Sequence, residues 1–306
     1  MRLSYLTPNY WPTWAGLAWL RSFELLPYPW LIRAGRVIGT IARHLPLRFV
    51  NTARRNIALC LPELSDAARA DLLNRHFHSL GIGLCESAMC WWSSDERIRK
   101  LSRVEGLEHL REASRGGRGV ILLTAHFTTL EIGARILNTN TPISVLYRAP
   151  KNKLLAEVSG HNRDRQAGRA IRHDDIRALV RALRRNETVW YAPDQCYRKK
   201  GAEMVPFFGI PAATNTFTSR LARITGAPVL HLSQERLPGS LGYRVIIHKP
   251  LENFPSDDSV ADTLRYNHFI EAHVRKVPEQ YWWIHRRFKG LSPDYPDYYS
   301  GPAPGH

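Results

Sequence analysis

The spacing of hydrophobic residues changes character along the chain. Between positions 66 and 92, Leu72, Leu73, Phe77, Leu80, Leu84 and Met89 recur near helical spacing, so this stretch reads as one or two helices. After the Gly-Gly-Arg-Gly turn at 116–119, the apolar run from Val120 to Ala125 predicts a buried strand. Comparable short β-type runs recur at 143–147, 188–192, 228–232 and 243–248. Helical stretches are expected near 128–138, 151–165, 174–185, 214–225 and 258–277. Alternating strand and helix predict an α/β sandwich with a mainly parallel sheet. The tail from Ser292, rich in Pro, Asp, Tyr and Gly, reads as irregular. The expected division is a helical region at 1–60, the α/β domain at 61–291 and a tail at 292–306.

The first sixty residues break the pattern. They carry Arg2, Arg21, Arg33, Arg36, Arg43, Arg48, Arg54 and Arg55 against one acid, Glu24, interleaved with Trp11, Trp14, Trp19, Phe23, Tyr28 and Trp30. Pro8, Asn9 and Pro12 interrupt the uncharged run from Leu3 to Leu20, and the more apolar part from Trp14 meets Arg21 and Glu24 short of the ~20 residues a bilayer crossing needs. The features of a cleaved signal peptide are missing. Aromatic rings with snorkelling arginines fit a segment lying in a membrane interface. An ordinary Trp-rich helical hairpin packed on the domain fits as well. On the first reading, residues 1 to about 45 hold the protein to the membrane.

Composition narrows the class. Hydrophobic residues at 44% and charged residues at 23% exclude a disordered tail protein and a polytopic membrane protein. Lys and Arg number 43 against 27 acids, a formal +16, which points to an anionic partner such as nucleic acid, a phospholipid surface, a phosphorylated substrate or an acidic protein. Of those basic residues 35 are Arg, suited to bidentate phosphate binding, although a GC-rich coding bias gives the same count. Cys60, Cys85, Cys90 and Cys196 form no CxxC pair or zinc ladder, which indicates a reduced compartment.

Candidate chemistry starts where the first core strand ends, at His126. Ligands gather at the C-terminal ends of strands in such sheets. Glu131 follows five positions later, about 140° away around a regular helix, so the two side chains converge only if His126 is still in the strand-to-helix turn. They would then form a general base with a carboxylate orienting its ring. Alternatively, Thr128 and Glu131 make an S/T-x-x-E capping box and His126 is a bystander. No G-x-S-x-G elbow, phosphate-binding loop or dinucleotide fingerprint is present, so the expected reaction is direct transfer to a hydroxyl.

The H-x4-E of His126 to Glu131 resembles the motif of the bacterial lipid A late acyltransferases. The likeness extends along the chain through Trp11-Pro-Thr-Trp14, Arg55-Asn56, Leu59 to Glu63, Glu86 with Trp91-Trp92, Tyr147-Arg148 with Lys151-Asn152, Val189 to Asp194, Val205 to Gly209, Pro278 to Tyr281 and His285 to Lys289. The resemblance implies the glycerol-phosphate acyltransferase fold and an enzyme of the inner membrane with its site on the cytoplasmic face. It implies an acyl donor carried by acyl carrier protein, as substrate and without a further cofactor, and an acceptor 3-hydroxyacyl chain on a Kdo-lipid A precursor. An acidic carrier and an anionic glycolipid suit a basic chain, and nucleic acid is then no partner.

His126 and Glu131 are the expected catalytic pair, with Arg148, Lys151, Arg165, Arg169 and Asp194 as expected substrate-binding residues. For each arginine a solvated basic face is the plainer alternative, and for Asp194 an ion pair with a neighbouring Arg. Relatives commonly carry a second acid and then Tyr-Gly after the Pro-Asp pair, where this chain has Gln195-Cys196-Tyr197. The aromatic and basic run at 281–289 reads as an interface, with the resemblance favouring a structural or lipid-facing role.

Overall fold

The computed structural model describes residues 3–147, 150–166 and 169–301. Its strands are β1 (Ser102–Glu105), β2 (Val120–Leu123), β3 (Ser144–Tyr147), β4 (Arg169–Arg172), β5 (Thr188–Tyr191), β6 (Ala202–Phe207), β7 (Ile210–Asn215), β8 (Val229–Arg236) and β9 (Tyr243–Pro250). Its helices are α1 (Trp11–Ser22), α2 (Tyr28–His44), α3 (Arg48–Cys60), α4 (Asp66–Trp92), α5 (Asp95–Lys100), α6 (Leu107–Ser114), α7 (Leu130–Asn138), α8 (Lys153–Gln166), α9 (Ile176–Arg184), α10 (Phe217–Thr225) and α11 (Ser259–Lys276).

The central sheet runs in the order β1-β9-β8-β2-β5-β3-β4. Its neighbours pair in parallel except β8 with β9, so the mainly parallel sheet expected from the strand-helix alternation is present. In β2 the side chains alternate between two cores: Val120 and Leu122 enter one, Ile121 and Leu123 the other. Both faces of the sheet are therefore covered, which explains why β2 reads as an unbroken apolar run. Truncating one such side chain to Ala costs about 2–5 kcal/mol in comparable cores.

Four strands escaped the sequence reading. β1 and β4 are the two sheet edges, and their sequences, Ser-Arg-Val-Glu and Arg-Ala-Ile-Arg, are too polar to announce a strand. β6 and β7 form a separate hairpin whose prolines, Pro206 and Pro211, face each other across the ladder. Proline argues against a central strand but is tolerated where no ladder bond is needed. Phe208 and Gly209 both take positive φ (51° and 74°), the requirement of a two-residue type I′ turn. The stretch at 66–92 is one continuous helix, α4, started by the Ser65 hydroxyl accepting from the Ala68 amide.

The amino-terminal helices are built into the body. Leu20, Phe23, Tyr28, Leu31 and Ile32 join one core, and Val50, Ala53, Ile57 and Cys60 the other. The α2–α4 seam is made of glycines. A Cβ at Gly35 would stand 2.4 Å from the Ile82 Cα, one at Gly39 2.1 Å from the Phe77 carbonyl oxygen, and one at Gly81 2.1 Å from the Gly35 carbonyl oxygen. Backbone thus meets backbone with no side chain between. No helix among the described residues is long and apolar enough to cross a membrane. On the outward side, Trp11 and Trp19 of α1 and Trp30, Val37 and Ile41 of α2 are exposed, with Leu45 following. Positions 30, 37 and 41 fall on one stripe of α2, flanked by exposed Arg33 and Arg36. The described part of the tail, 292–301, is irregular, as expected, but tied down: Arg55 donates to the carbonyls of Tyr298, Ser300 and Gly301.

The seam predicts an asymmetry between glycines. Gly39→Ala should lower stability by about 1–3 kcal/mol, because the added methyl drives two backbones apart. Gly16→Ala, with nothing within 4 Å of the new atom, should be neutral or slightly stabilising. Thermal unfolding of both variants checks this, and equal melting temperatures would contradict it.

Candidate active site

Two loops meet where adjacent parallel strands end. His126 follows β2 and Asp194 follows β5, which is paired to β2 residue by residue. The His126 ring Nδ1 lies 2.6 Å from one Asp194 carboxylate oxygen, and the His126 backbone N–H donates to the other at 3.0 Å. The Tyr281 hydroxyl also donates to that second oxygen, at 3.3 Å. Nδ1 being held, Nε2 is the ring atom left for proton transfer. The Asp194 side chain is 2% exposed and that of His126 25%, so the pair has a dry side and an open side.

Asp194 was expected on the substrate and Glu131 on the histidine; the structure puts Asp194 on the His126 ring. Glu131 lies exposed in the first turn of α7. The capping box does not form either. α7 is capped at Thr129 without a side-chain bond, and the Thr128 hydroxyl pairs with the Ser79 hydroxyl at 2.7 Å. The physical reason is the sheet: β5 delivers Asp194 beside His126 from 68 residues away, a proximity that local spacing does not encode. Lys151 is exposed in the turn before α8. Arg148 lies outside the described residues, as do the side chains of Arg165 and Arg169.

The loop carrying His126 is fixed on every side. Thr124 donates its amide to the Tyr191 carbonyl at 3.0 Å and its hydroxyl to the Gln234 side-chain oxygen at 2.7 Å, while the Gln234 side-chain amide donates to the Ala125 carbonyl at 3.2 Å. The 278–288 segment passes over it: Trp282 N–H donates to the His126 carbonyl at 3.0 Å, and Thr128 N–H to the Gln280 carbonyl at 2.7 Å. Asn56 of α3 straps this segment by donating to the carbonyls of Trp283 (2.6 Å) and His285 (2.7 Å). Behind it, Arg236 makes a two-pronged bond to buried Glu86 (2.6 and 2.7 Å) and a third to Ser79 (2.9 Å). Such a pair costs about 3–5 kcal/mol when one partner is removed, because the other charge stays buried.

The run at 281–289 is therefore largely interior. Trp283, Phe288 and Arg287 are buried, and with Tyr281 and His285 they line the pocket around His126 and Asp194. Of the roles open for this run, the burial fits the structural one: it helps enclose the site. Arg287 donates to the Ala213 carbonyl (2.9 Å) and the Thr214 hydroxyl (2.6 Å), anchoring the segment to β7. His285 Nε2 accepts the Cys196 amide at 3.0 Å, and burial pushes its pKa down to about 4, so it stays neutral. Tyr281, His285 and Arg287 were within the quoted motif, but only their burial shows what they enclose.

Burial works against the charged His126 ring, but the charge and hydrogen bond of Asp194 outweigh it and raise the pKa above the ordinary 6.5. Burial likewise works against the Asp194 anion, but the His126 charge and hydrogen bonds, with the Arg287 charge, hold its pKa below 3.8. Both shifts carry into stability. The raised histidine contributes fully below about 6.5 and loses that contribution as pH rises through its folded value; the depressed aspartate contributes fully above 3.8 and loses it as pH falls. The pair is thus at full strength between those limits.

Fold and geometry define the class first: an α/β protein with a carboxylate-held histidine at adjacent strand ends, an arrangement suited to taking a proton. Comparison with known proteins makes the class specific. The family model for bacterial lipid A biosynthesis acyltransferase matches residues 1–290. The chain is 39% identical over 286 residues to the lipid A biosynthesis palmitoleoyltransferase of Escherichia coli (strain K12), covering 93% of each. It is 36% identical over 285 residues to the lauroyltransferase of the same organism, again 93% of each, and 27% identical over 296 residues to its myristoyltransferase, 95% of this chain and 90% of that one. The chain belongs to the bacterial lipid A biosynthesis acyltransferase family.

Removing the Asp194 charge should expose its influence on the ring. In Asp194→Asn the His126 titration followed by NMR should fall below the wild-type value, which itself should lie above 6.5. An unchanged midpoint in a folded variant would contradict the assignment.

Proposed function

We propose that the protein transfers a fatty acyl chain from acyl carrier protein to the 3-hydroxyl of an acyl chain on a Kdo-lipid A precursor. The observation that carries this reading is the His126–Asp194 pair at 2.6 Å, in a chain of this family. His126 Nε2 takes the hydroxyl proton as that oxygen attacks the thioester carbonyl. The C–S bond then breaks, and the imidazolium returns its proton to the leaving thiolate, giving ester and free carrier thiol. Asp194 keeps the ring oriented and stabilises its transient charge. Glu131 is the second carboxylate of the site, and arginines after β3, Arg148, Arg165 and Arg169 among them, with Lys151, supply positive charge for the anionic acceptor or the developing oxyanion.

Transfer in this scheme is direct. The alternative is an acyl-enzyme on Cys196, whose sulfur lies 3.9 Å from the Lys289 carbonyl. Incubation with labelled acyl carrier protein and no acceptor should give no stoichiometric adduct by intact mass. An adduct lost in Cys196→Ser would overturn the direct route.

The proposed location is the cytoplasmic face of the inner membrane, with the exposed aromatic stripe of α1 and α2 in the interface. The flanking arginines would each add about 1 kcal/mol near anionic lipid. Because α2 is packed into the core, deleting it would damage the fold, so point changes are the cleaner test. Trp19→Ser with Trp30→Ser should weaken binding to anionic vesicles without changing the melting temperature. Undiminished vesicle binding would move the anchor elsewhere.

For the reaction itself, His126→Ala should lose ~10²–10⁴-fold in turnover while remaining folded. Glu131→Gln should lose activity without moving the His126 titration, unlike Asp194→Asn. The readout is mass spectrometry of the lipid product from purified enzyme. Near-normal transfer by folded His126→Ala would defeat the reading, and acylation of a lysophospholipid in place of the lipid A precursor would redirect it.

A further inference from the structure

A second cavity, of about 920 Å³, is walled by Trp14 and Leu17 of α1, Trp91 and Trp92 at the end of α4, Arg135 of α7 and Val158 of α8. Its size falls within the ~300–1,000 Å³ of ordinary ligand pockets. None of its lining residues belongs to the small pocket around His126 and Asp194. α7, which starts four residues after His126, supplies Arg135 to the cavity wall. Arg135 stands one turn beyond Glu131 on the same side of that helix, a distance of about 6 Å along its axis.

The charged groups in the cavity wall already have partners. Arg135 is bound to Asp95 at 2.5 Å, and the Arg21 guanidinium lies over the Trp92 ring, 5.8 Å from its centre. Glu157 is engaged as well. Beside these and the polar Ser93, Ser94 and Asn162, the wall offers indole surface with Leu17, Ala18 and Val158, and that part of the lining accepts hydrocarbon without leaving a polar group of the ligand unpaired. α1 is held in this position by the start of α8. Asn152, just before α8, donates to the Thr13 hydroxyl at 2.9 Å, and Leu17 packs with Tyr5 and Leu154 in a small core of its own.

We propose that this cavity receives the acyl chain being transferred, and that α1, as one of its walls, sets the length of chain the enzyme accepts. The inference rests on the acyltransferase reading above. It assigns α1 a place in the substrate site in addition to any contact with lipid on its outer face.

The test uses the purified full chain, a detergent-dispersed lipid A precursor and an equal mixture of dodecanoyl, tetradecanoyl and hexadecanoyl acyl carrier protein, with products resolved by mass. Ala18→Trp fills the cavity from α1 and Val158→Phe from α8, while Leu17→Ala enlarges it. The filling variants should shift the product ratio toward shorter chains by roughly tenfold or more, and Leu17→Ala toward longer ones. Two walls are probed so that loss of folding in one variant leaves the other to decide. Unchanged ratios in folded variants that still transfer would overturn the proposal. So would a change confined to the KM of the lipid acceptor, which would assign the cavity to an acceptor chain. Absence of transfer by the wild type from any of the three donors would overturn the acyltransferase reading and this inference with it.

Discussion

A carboxylate removed from water must be surrounded by donors, and the region around His126 is organised by that demand at Asp194. One oxygen is met by the histidine ring, the other by the histidine backbone and the Tyr281 hydroxyl. Those donors come from the loop after β2 and from the carboxy-terminal segment, while Asp194 itself follows β5. Three distant parts of the chain are thereby drawn to one point. The parallel pairing of β2 with β5 makes this possible, because it brings both strand ends to the same edge of the sheet.

A second buried carboxylate acts one layer back. Glu86 of α4 receives Arg236 and the Tyr243 hydroxyl, and the same arginine reaches Ser79, whose hydroxyl meets Thr128 just past the His126 loop. Gln280 exchanges two bonds with the Arg236 backbone and lends its carbonyl to Thr128. The histidine is thus positioned by groups that are themselves satisfied, the condition under which a buried polar network holds one geometry. Loss of any single member would leave another unpaired away from water.

The sheet was legible in the sequence where its strands are interior and apolar, as in Val120 to Leu123. It was illegible at the edges, where Arg103 and Glu105 on one short strand and Arg172 on the other face solvent, and in the hairpin, where Pro206 and Pro211 carry the signature of a loop. His126 could be singled out by its place at a strand end. Its carboxylate partner could not, because only the pairing of β2 with β5 shows that position 194 is closer to the ring than position 131. The aromatic and basic run at 281–289 left its role open for a related reason. Composition shows that such a segment is amphipathic, while the bonds from Asn56 and Arg287 show which way it is turned. Gly35, Gly39 and Gly81 were visible all along, and their meaning appears only when the two helices they lie on are seen to touch.

That contact has a mechanical consequence. Two helices separated by side chains can slide or roll by changing rotamers, whereas α2 and α4 meet through main-chain atoms and have no such compliance. α2 cannot act as a hinged arm. A displacement imposed on its outer, tryptophan-bearing side passes to α4 and, through Ser79 and Glu86, to the bonds that hold the His126 loop. The depth and tilt at which the outer helices rest against any surface are therefore also the depth and tilt of the histidine.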